Sequence, residues 1–491
     1  MLGFQMTRPQ DNLEAKDSRV KVGTTADWLY RINQASVVSN LEEGLLSPEL
    51  AQALATALFS MQKDEHEGKI APAQTYIAFE PEMLNRAGMN ASVIHIGRSS
   101  QDIRATVNAG LNKERIIKIL DGIHLVVSAL YDLAKREEDT VVPAYTNGVQ
   151  ALPNRYAHYI LAFCSAFLRE AERLEQCLSR YNICPMGSGV LNGSGWPLNR
   201  DRMAELLGFD SPAVNAFDAG QIAGNTLPLE LSQCTASLMA LVNSFLADFS
   251  VQYSQASPWV LLCLNGSTYI SSAMPQKRNP GYVNDCRRDA AVVTAQTQSW
   301  LLRAQNLSTG MPDMRDDLLI AELCRDAFQV LRTFSTIVSG IRINKERALN
   351  EINSDWSCTQ EIADQLTKNG MDFRTSHGFA SFFVTFAKKE GLTPLNVNFE
   401  QVLEQWEAFF EQKNLSLRPF PLTESAFFSA IDPTQIVESR RTLGGPQKSE
   451  IQRMLNNTQG LIQKLDELIE GFLTSQAQTW RELNNRMEDL C

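Results

Sequence analysis

The sequence has no cysteines at CxxC spacing, no long run of lysine and arginine, little strand-like alternation, and no internal repeat or low-complexity tract. Nine cysteines, an odd number, lie scattered at Cys164, Cys177, Cys184, Cys234, Cys263, Cys286, Cys324, Cys358 and Cys491. Without the clustering of a thiolate metal site or a disulfide framework, they read as reduced, buried thiols in a cytoplasmic protein. There are only five histidines, and no His/Asp/Glu grouping has ligand-like spacing, so no metal is expected. The 45 Lys and Arg against 56 Asp and Glu leave a net charge of −11 spread along the chain, which argues against a phosphate-backbone binder and against nucleic acid as a partner. The N-terminus turns polar after a few residues, and no apolar run approaches the roughly 18 to 20 residues of a membrane span, so neither secretion nor a membrane partner is expected. Gly187, Gly189, Gly193 and Gly195 follow no strand and miss the GxGxxG spacing, which favours a tight turn over a dinucleotide loop; no cofactor is expected.

What is present is helical. At 491 residues the chain exceeds the size at which one hydrophobic core stops growing, so two or three domains are expected. Ile116, Ile119, Leu120, Ile123, Val126, Val127, Leu130 and Leu133 recur mostly at three- and four-residue steps. Similar stretches at 155–181, 227–254, 280–305 and 318–338 predict long helices, and a run of about 28 residues spans roughly 42 Å. Helices of that length lie side by side in a bundle. Apolar residues cover much of the circumference of the central ones (Leu238, Met239, Leu241, Val242, Phe245, Leu246), which predicts faces packed against other subunits. Turn-forming clusters at 142–146, 184–197 and 256–280 mark the loops expected to carry chemistry. After about residue 360 the helices shorten, and a last amphipathic helix runs through Ile451, Leu455, Ile462, Leu465, Ile469 and Phe472. The expectation is an all-α chain with an N-terminal helical domain (1–110), a central bundle (111–360) and a small C-terminal helical domain (361–491).

The densest functional signal is the string SSAMPQKRNP at residues 271–280, which sets paired hydroxyls, cations and amides between two prolines, just before a long helix. A serine hydroxyl is a poor base unless its alkoxide is stabilised, so the chemistry needs nearby donors, which Lys277 and Asn279 can supply.

This string resembles the GSSxMPxKxNP signature of the fumarase/aspartase superfamily, with Ile270 where the first glycine usually stands. Residues 95–102, HIGRSSQD, resemble HTxRSRND of argininosuccinate lyase, and 145–151, YTNGVQA, fall where that family has YTHLQxA. Pro185-Met186-Gly187-Ser188-Gly189 resembles its PLGSGA, residues 373–377 its PFRxAH, and the segment from Asp432-Pro433 to Gly444-Gly445 its C-terminal DP…GG, all in the family's order. The resemblance implies a three-domain fumarase/aspartase-type fold with a central long-helix bundle, and a homotetramer whose sites each draw on three protomers. It implies that a serine on a mobile loop takes a proton from the carbon beside a carboxylate, after which a leaving group is expelled to give fumarate. By motif position Ser271 is the base. Lys277 and Asn279 hold the carboxylate whose charge grows, and Ser99, Ser100, Gln101, Thr146 and Asn147 face the substrate with His95 nearby.

Three departures bear on the substrate. Asn147 stands where argininosuccinate lyase has the His cast as general acid; an amide transfers no proton near neutrality, but an aliphatic amine is already protonated there and needs no acid to leave. Ser100-Gln101 replaces Arg-Asn, which removes a cation. Residues 310–317, GMPDMRDD, lack the Tyr, Gln and Lys that hold the amino-acid end of argininosuccinate, while Arg315 offers another carboxylate contact and Asp316 and Asp317 an amine contact. The reading is a carbon–nitrogen lyase acting on an N-substituted aspartate, such as the aminopolycarboxylate of ethylenediamine-disuccinate lyase. Its rivals are argininosuccinate lyase proper, a cycloisomerase on the same fold, and a retired, crystallin-like tetramer.

Overall fold

The computed structural model describes residues 18–263, 268–305, 307–310 and 318–491. Three helices come first, α1 (Thr25–Glu42), α2 (Pro48–His66) and α3 (Tyr76–Ala87), followed by α4 (Ser100–Arg136). Each starts where a Ser or Thr side chain, Thr24, Ser47, Thr75 or Ser99, accepts a backbone N–H of the first turn. A hairpin of β1 (Val141–Thr146) and β2 (Val149–Arg155) turns the chain into α5 (Tyr156–Tyr181). Next come β3 (Ile183–Cys184), α6 (Arg200–Leu206), β4 (Ser211–Pro212) and α7 (Ala223–Tyr253). After β5 (Val260–Leu262), the hairpin of β6 (Tyr269–Ile270) and β7 (Arg278–Asn279) leads into α8 (Gly281–Arg303), α9 (Leu318–Gly340) and β8 (Ile341–Ile343). The C-terminal part holds α10 (Lys345–Ile352), α11 (Thr359–Lys368), α12 (Phe373–Lys389), α13 (Phe399–Gln412), α14 (Glu424–Ile431), α15 (Pro433–Glu438) and α16 (Lys448–Glu488).

The chain is all-α apart from these two-stranded pieces. Helices α4, α5, α7, α8 and α9 form the bundle, and the four long stretches expected after α4 coincide with α5, α7, α8 and α9 to within a few residues. The bundle runs up and down: Gln101, Arg180, Gly220, Trp300 and Ile320 meet at one end, and Tyr145, Tyr156, Val251 and Trp259 at the other. Its core is Ile, Leu, Val and Phe, including Ile123, Phe167, Leu238, Phe245 and Phe334, all buried. A second cluster joins α1–α3 to the start of α4 around Trp28, Leu58 and Phe79, and a third gathers α11–α14 around Phe379, Phe383 and Trp406. The last helix is 41 residues long, and its buried side chains enter the first two clusters, not the third: Ile451, Leu455, Leu465 and Ile469 pack on the bundle, and Leu483 and Met487 on the N-terminal helices.

Two expectations need correction. The segment Asp218–Tyr253 is long and apolar enough by composition to cross a membrane, with a mean hydropathy of 1.4 in its most apolar window. The sequence reading missed it because Ser, Thr, Asn and Gln interrupt the apolar letters while barely lowering the average. In this fold 44% of that window is buried in the bundle. The cysteines are free, yet not all are buried: Cys263 is half-buried and Cys491 exposed.

Candidate active site

Ser271, Lys277 and Asn279 belong to one hairpin. Tyr269 pairs with Asn279 and Ile270 with Arg278, and the Ser271 N–H donates to the Lys277 carbonyl at 3.3 Å, so Ser271 and Lys277 stand opposite each other. Side chains alternate across a strand, so the spacing of 271, 277 and 279 puts hydroxyl, ammonium and amide on one face and sends Ile270 and Arg278 to the other. The Met274 N–H donates to Ser271 Oγ at 3.3 Å, and Asn279 Nδ2 to the Tyr269 carbonyl at 3.4 Å. Ser271 and Asn279 are half-buried; Lys277 is exposed, and its ammonium has no partner among the described residues. The hairpin is moored where Tyr253, at the end of α7, donates its hydroxyl to the Arg278 carbonyl at 3.1 Å.

Thr146 and Asn147 lie at the same end of the bundle, at the tip of the β1–β2 hairpin, and both are exposed. Asn147 and Gly148 have φ of 52° and 76°, the two-residue turn for which Asn-Gly is the preferred pair. The amide at 147 therefore has a local structural cause besides any catalytic one. A cavity of about 470 Å³ opens beside this turn, walled by Tyr145, Asn147, Tyr159, Asp248, Gln252 and Trp259. The Tyr159 hydroxyl donates to Asp248 at 3.0 Å, and burial raises its pKa above the ordinary phenol value.

Ser99, Ser100, Gln101 and His95 lie at the opposite end. Ser99 caps α4 through a reciprocal box with Asp102: Asp102 Oδ1 accepts the Ser99 N–H at 2.8 Å, and Ser99 Oγ accepts the Gln101 N–H at 3.2 Å. Accepting there leaves the Ser99 O–H free to donate to a carboxylate. Asp102 Oδ2 also accepts the Gly187 and Gly189 N–H groups, each at 3.0 Å. The buried carboxylate thus ties the second glycine-bearing motif to the first, and burial raises its pKa against the lowering effect of these bonds. Gly189, with φ of +63°, approaches so closely that a Cβ there would lie 2.9 Å from the Gly193 carbonyl, which makes this segment the tight turn expected. Ser100 is exposed. Gln101 donates to the Gly220 carbonyl at 2.8 Å and accepts from Arg104 at 3.0 Å. His95 stacks on Tyr76 with ring centroids 5.2 Å apart, and burial, aided by Arg98, lowers its pKa. Arg315, with Asp316 and Asp317, lies outside the described residues. The His158 ring donates Nε2–H to the Gly444 carbonyl at 2.9 Å.

One protomer does not unite these groups. Helix α4 is 37 residues long, so its two ends are about 55 Å apart, with Ser99 at one and the Thr146 and Ser271 hairpins near the other. Among the described residues no group of three or more His, Cys, Asp or Glu is placed to hold a metal ion. Arg104 lies four residues after Ser100 on the same face of α4 and donates to Gln101.

A family model described as lyase matches residues 30–294. The chain is 28% identical to argininosuccinate lyase of Pelotomaculum thermopropionicum over 413 residues, covering 82% of this chain and 85% of that protein. Among solved structures it superposes on a variant of EDDS lyase with bound fumarate at a TM-score of 0.86 and 22% identity, covering 96% of this chain and 93% of that one. It also superposes on class II fumarase of Schistosoma mansoni at 0.66 and 15% identity, covering 87% and 92%.

Proposed function

The chain belongs to the lyase family, and from that membership we propose that it cleaves a carbon–nitrogen bond in an N-substituted aspartate to give fumarate and an amine, with Ser271 as the base. The observation that carries this reading is the shared hairpin face of Ser271, Lys277 and Asn279. Ser271 Oγ acts as the alkoxide, supported by the Met274 N–H, and becomes a hydroxyl on taking the proton from the carbon next to a carboxylate. The electron pair left behind moves into that carboxylate, which becomes doubly charged, and Lys277 and Asn279 stabilise the added charge where it develops. Return of the pair forms the carbon–carbon double bond and breaks the bond to nitrogen. A nitrogen that carries its proton in the substrate departs as a neutral amine, so Asn147 need not supply one.

The reading includes a cytoplasmic homotetramer whose sites draw on three protomers, divided into domains near residues 110 and 360. The distance between the ends of α4 supports the sharing, as do apolar side chains exposed on α7 and α8, with Val251 at 61% and Val292 at 49%. Lys277, whose ammonium has no partner among the described residues, is available to a substrate assembled with other protomers.

The test is the ultraviolet absorbance of fumarate incubated with purified protein and a panel of amines, diamines and amino acids, with Ser271→Ala as control. Consumption with one amine class, abolished in the variant, is expected. A tetramer that consumes fumarate with no amine would sink the proposal.

A further inference from the structure

Strand β7 places Lys277 and Asn279 on either side of Arg278. The Lys277 carbonyl accepts the Ser271 N–H across the hairpin, so alternation along the strand turns the next carbonyl, that of Arg278, away from β6. Tyr253 donates to that outward carbonyl at 3.1 Å. Its ring is stacked on Phe249, with centroids 5.5 Å apart, and Phe249 is 3% exposed within the bundle core. The phenol is therefore a fixed arm of α7. Burial raises its pKa against the opposing pull of Arg278, which keeps the hydroxyl protonated and a donor. The other strand is held by shape: Tyr269 lies so close to Gly281, the first residue of α8, that a Cβ there would come within 2.8 Å of the ring. The Tyr269 carbonyl also accepts Asn279 Nδ2 at 3.4 Å.

We propose that Tyr253 and Tyr269 are positioning residues: Tyr253 ties β7 to the end of α7 and so aims Lys277 and Asn279, and Tyr269, seated on the start of α8, aims Ser271. The proposal rests on the reaction proposed above, in which those three groups meet the substrate. A hairpin of two-residue strands is too short to hold a geometry by its own ladder, and a misplacement of about 1 Å costs about a hundredfold in rate. Because the charge that Lys277 and Asn279 stabilise grows only as the proton moves, loss of aim falls on the rate of that step and spares substrate affinity.

Tyr253→Phe, which keeps the ring on Phe249 and deletes the hydroxyl, tests it. For wild type and variant, kcat and KM are measured for fumarate with the amine that the panel selects, in light and in heavy water. In that direction the carbon receives its proton from the Ser271 hydroxyl, which exchanges with solvent. The variant's kcat should fall about tenfold, the size of one lost hydrogen bond, with KM for fumarate within about twofold of the wild type and a larger solvent isotope effect on kcat. An unchanged kcat, a change confined to KM, or a lower kcat with the isotope effect unmoved overturns the proposal and leaves the reaction standing. Should no amine consume fumarate, the reaction reading fails, and limited trypsin digestion decides the tether separately. Cleavage after Lys277 or Arg278 that is faster in Tyr253→Phe at an equal thermal midpoint sustains it; an equal rate removes it. If circular dichroism shows that Tyr253→Phe does not fold, Gly281→Ala, which displaces the Tyr269 ring, should lower kcat in the same way, and an unchanged kcat there overturns the proposal.

Discussion

The two ends of the bundle are built on opposite principles. At the Ser99 end a buried carboxylate, Asp102, gathers three backbone N–H groups from two distant segments. At the other end Ser271 directly follows a two-residue strand beside an exposed turn, with Tyr269 54% and Ile270 60% exposed. Among the described residues Ser271 Oγ accepts one backbone bond, and the Lys277 ammonium has no partner. Burial and satisfied hydrogen bonds make the first end rigid; the second contributes reactive groups while adding little to stability. In the reaction proposed above, the first end would hold the dicarboxylate and the second would present the base.

The sharpest way to separate the two is to remove one oxygen-bearing side chain from each. Ser271→Ala should lower kcat/KM about a thousandfold or more, roughly 4 kcal/mol of transition-state stabilisation, while the thermal midpoint stays where it was. A falling midpoint would show that the hairpin is structural after all. Asp102→Ala should do the reverse, costing about 3 kcal/mol or more in urea unfolding, because three buried N–H groups lose their acceptor; an unchanged urea midpoint would erase the contrast.

Mixing the ends extends the comparison. Ser271→Ala and Gln101→Ala, each inactive alone, should regain measurable turnover when unfolded and refolded together, because some sites then take both intact ends from different chains. Mixed oligomers with no recovered activity would mean that one chain supplies both. The smallest effect is expected at the turn. Asn147→His keeps a residue type tolerated at positive φ, and if the amine leaves already protonated, kcat should stay within about threefold of the wild type, or roughly 0.6 kcal/mol. A large gain would reveal that the reaction lacks an acid.

Much of this was legible in the letters alone. The long helices follow from three- and four-residue apolar spacing, and the starts of α1 to α4 from capping side chains at Thr24, Ser47, Thr75 and Ser99. The order of hydroxyl, ammonium and amide in the 271–280 string was legible too; that 271, 277 and 279 share a face was not, since it depends on which residues pair across the turn. The apolar reach of the segment ending at Tyr253 was not, since a count of consecutive apolar letters overlooks an average.

By itself, then, the sequence determined what is decided within a few residues: helix positions, caps, the Asn147-Gly148 turn and the order of groups along the reactive hairpin. Only the tertiary structure decided what depends on segments far apart in the chain. It tied Asp102 to Gly187 and Gly189, sent α16 back along the bundle to the N-terminal helices, and set Ser99 and Ser271 at opposite ends of α4. Local backbone preferences act over one or two turns of helix, whereas burial and hydrogen-bond satisfaction are properties of the whole packed chain.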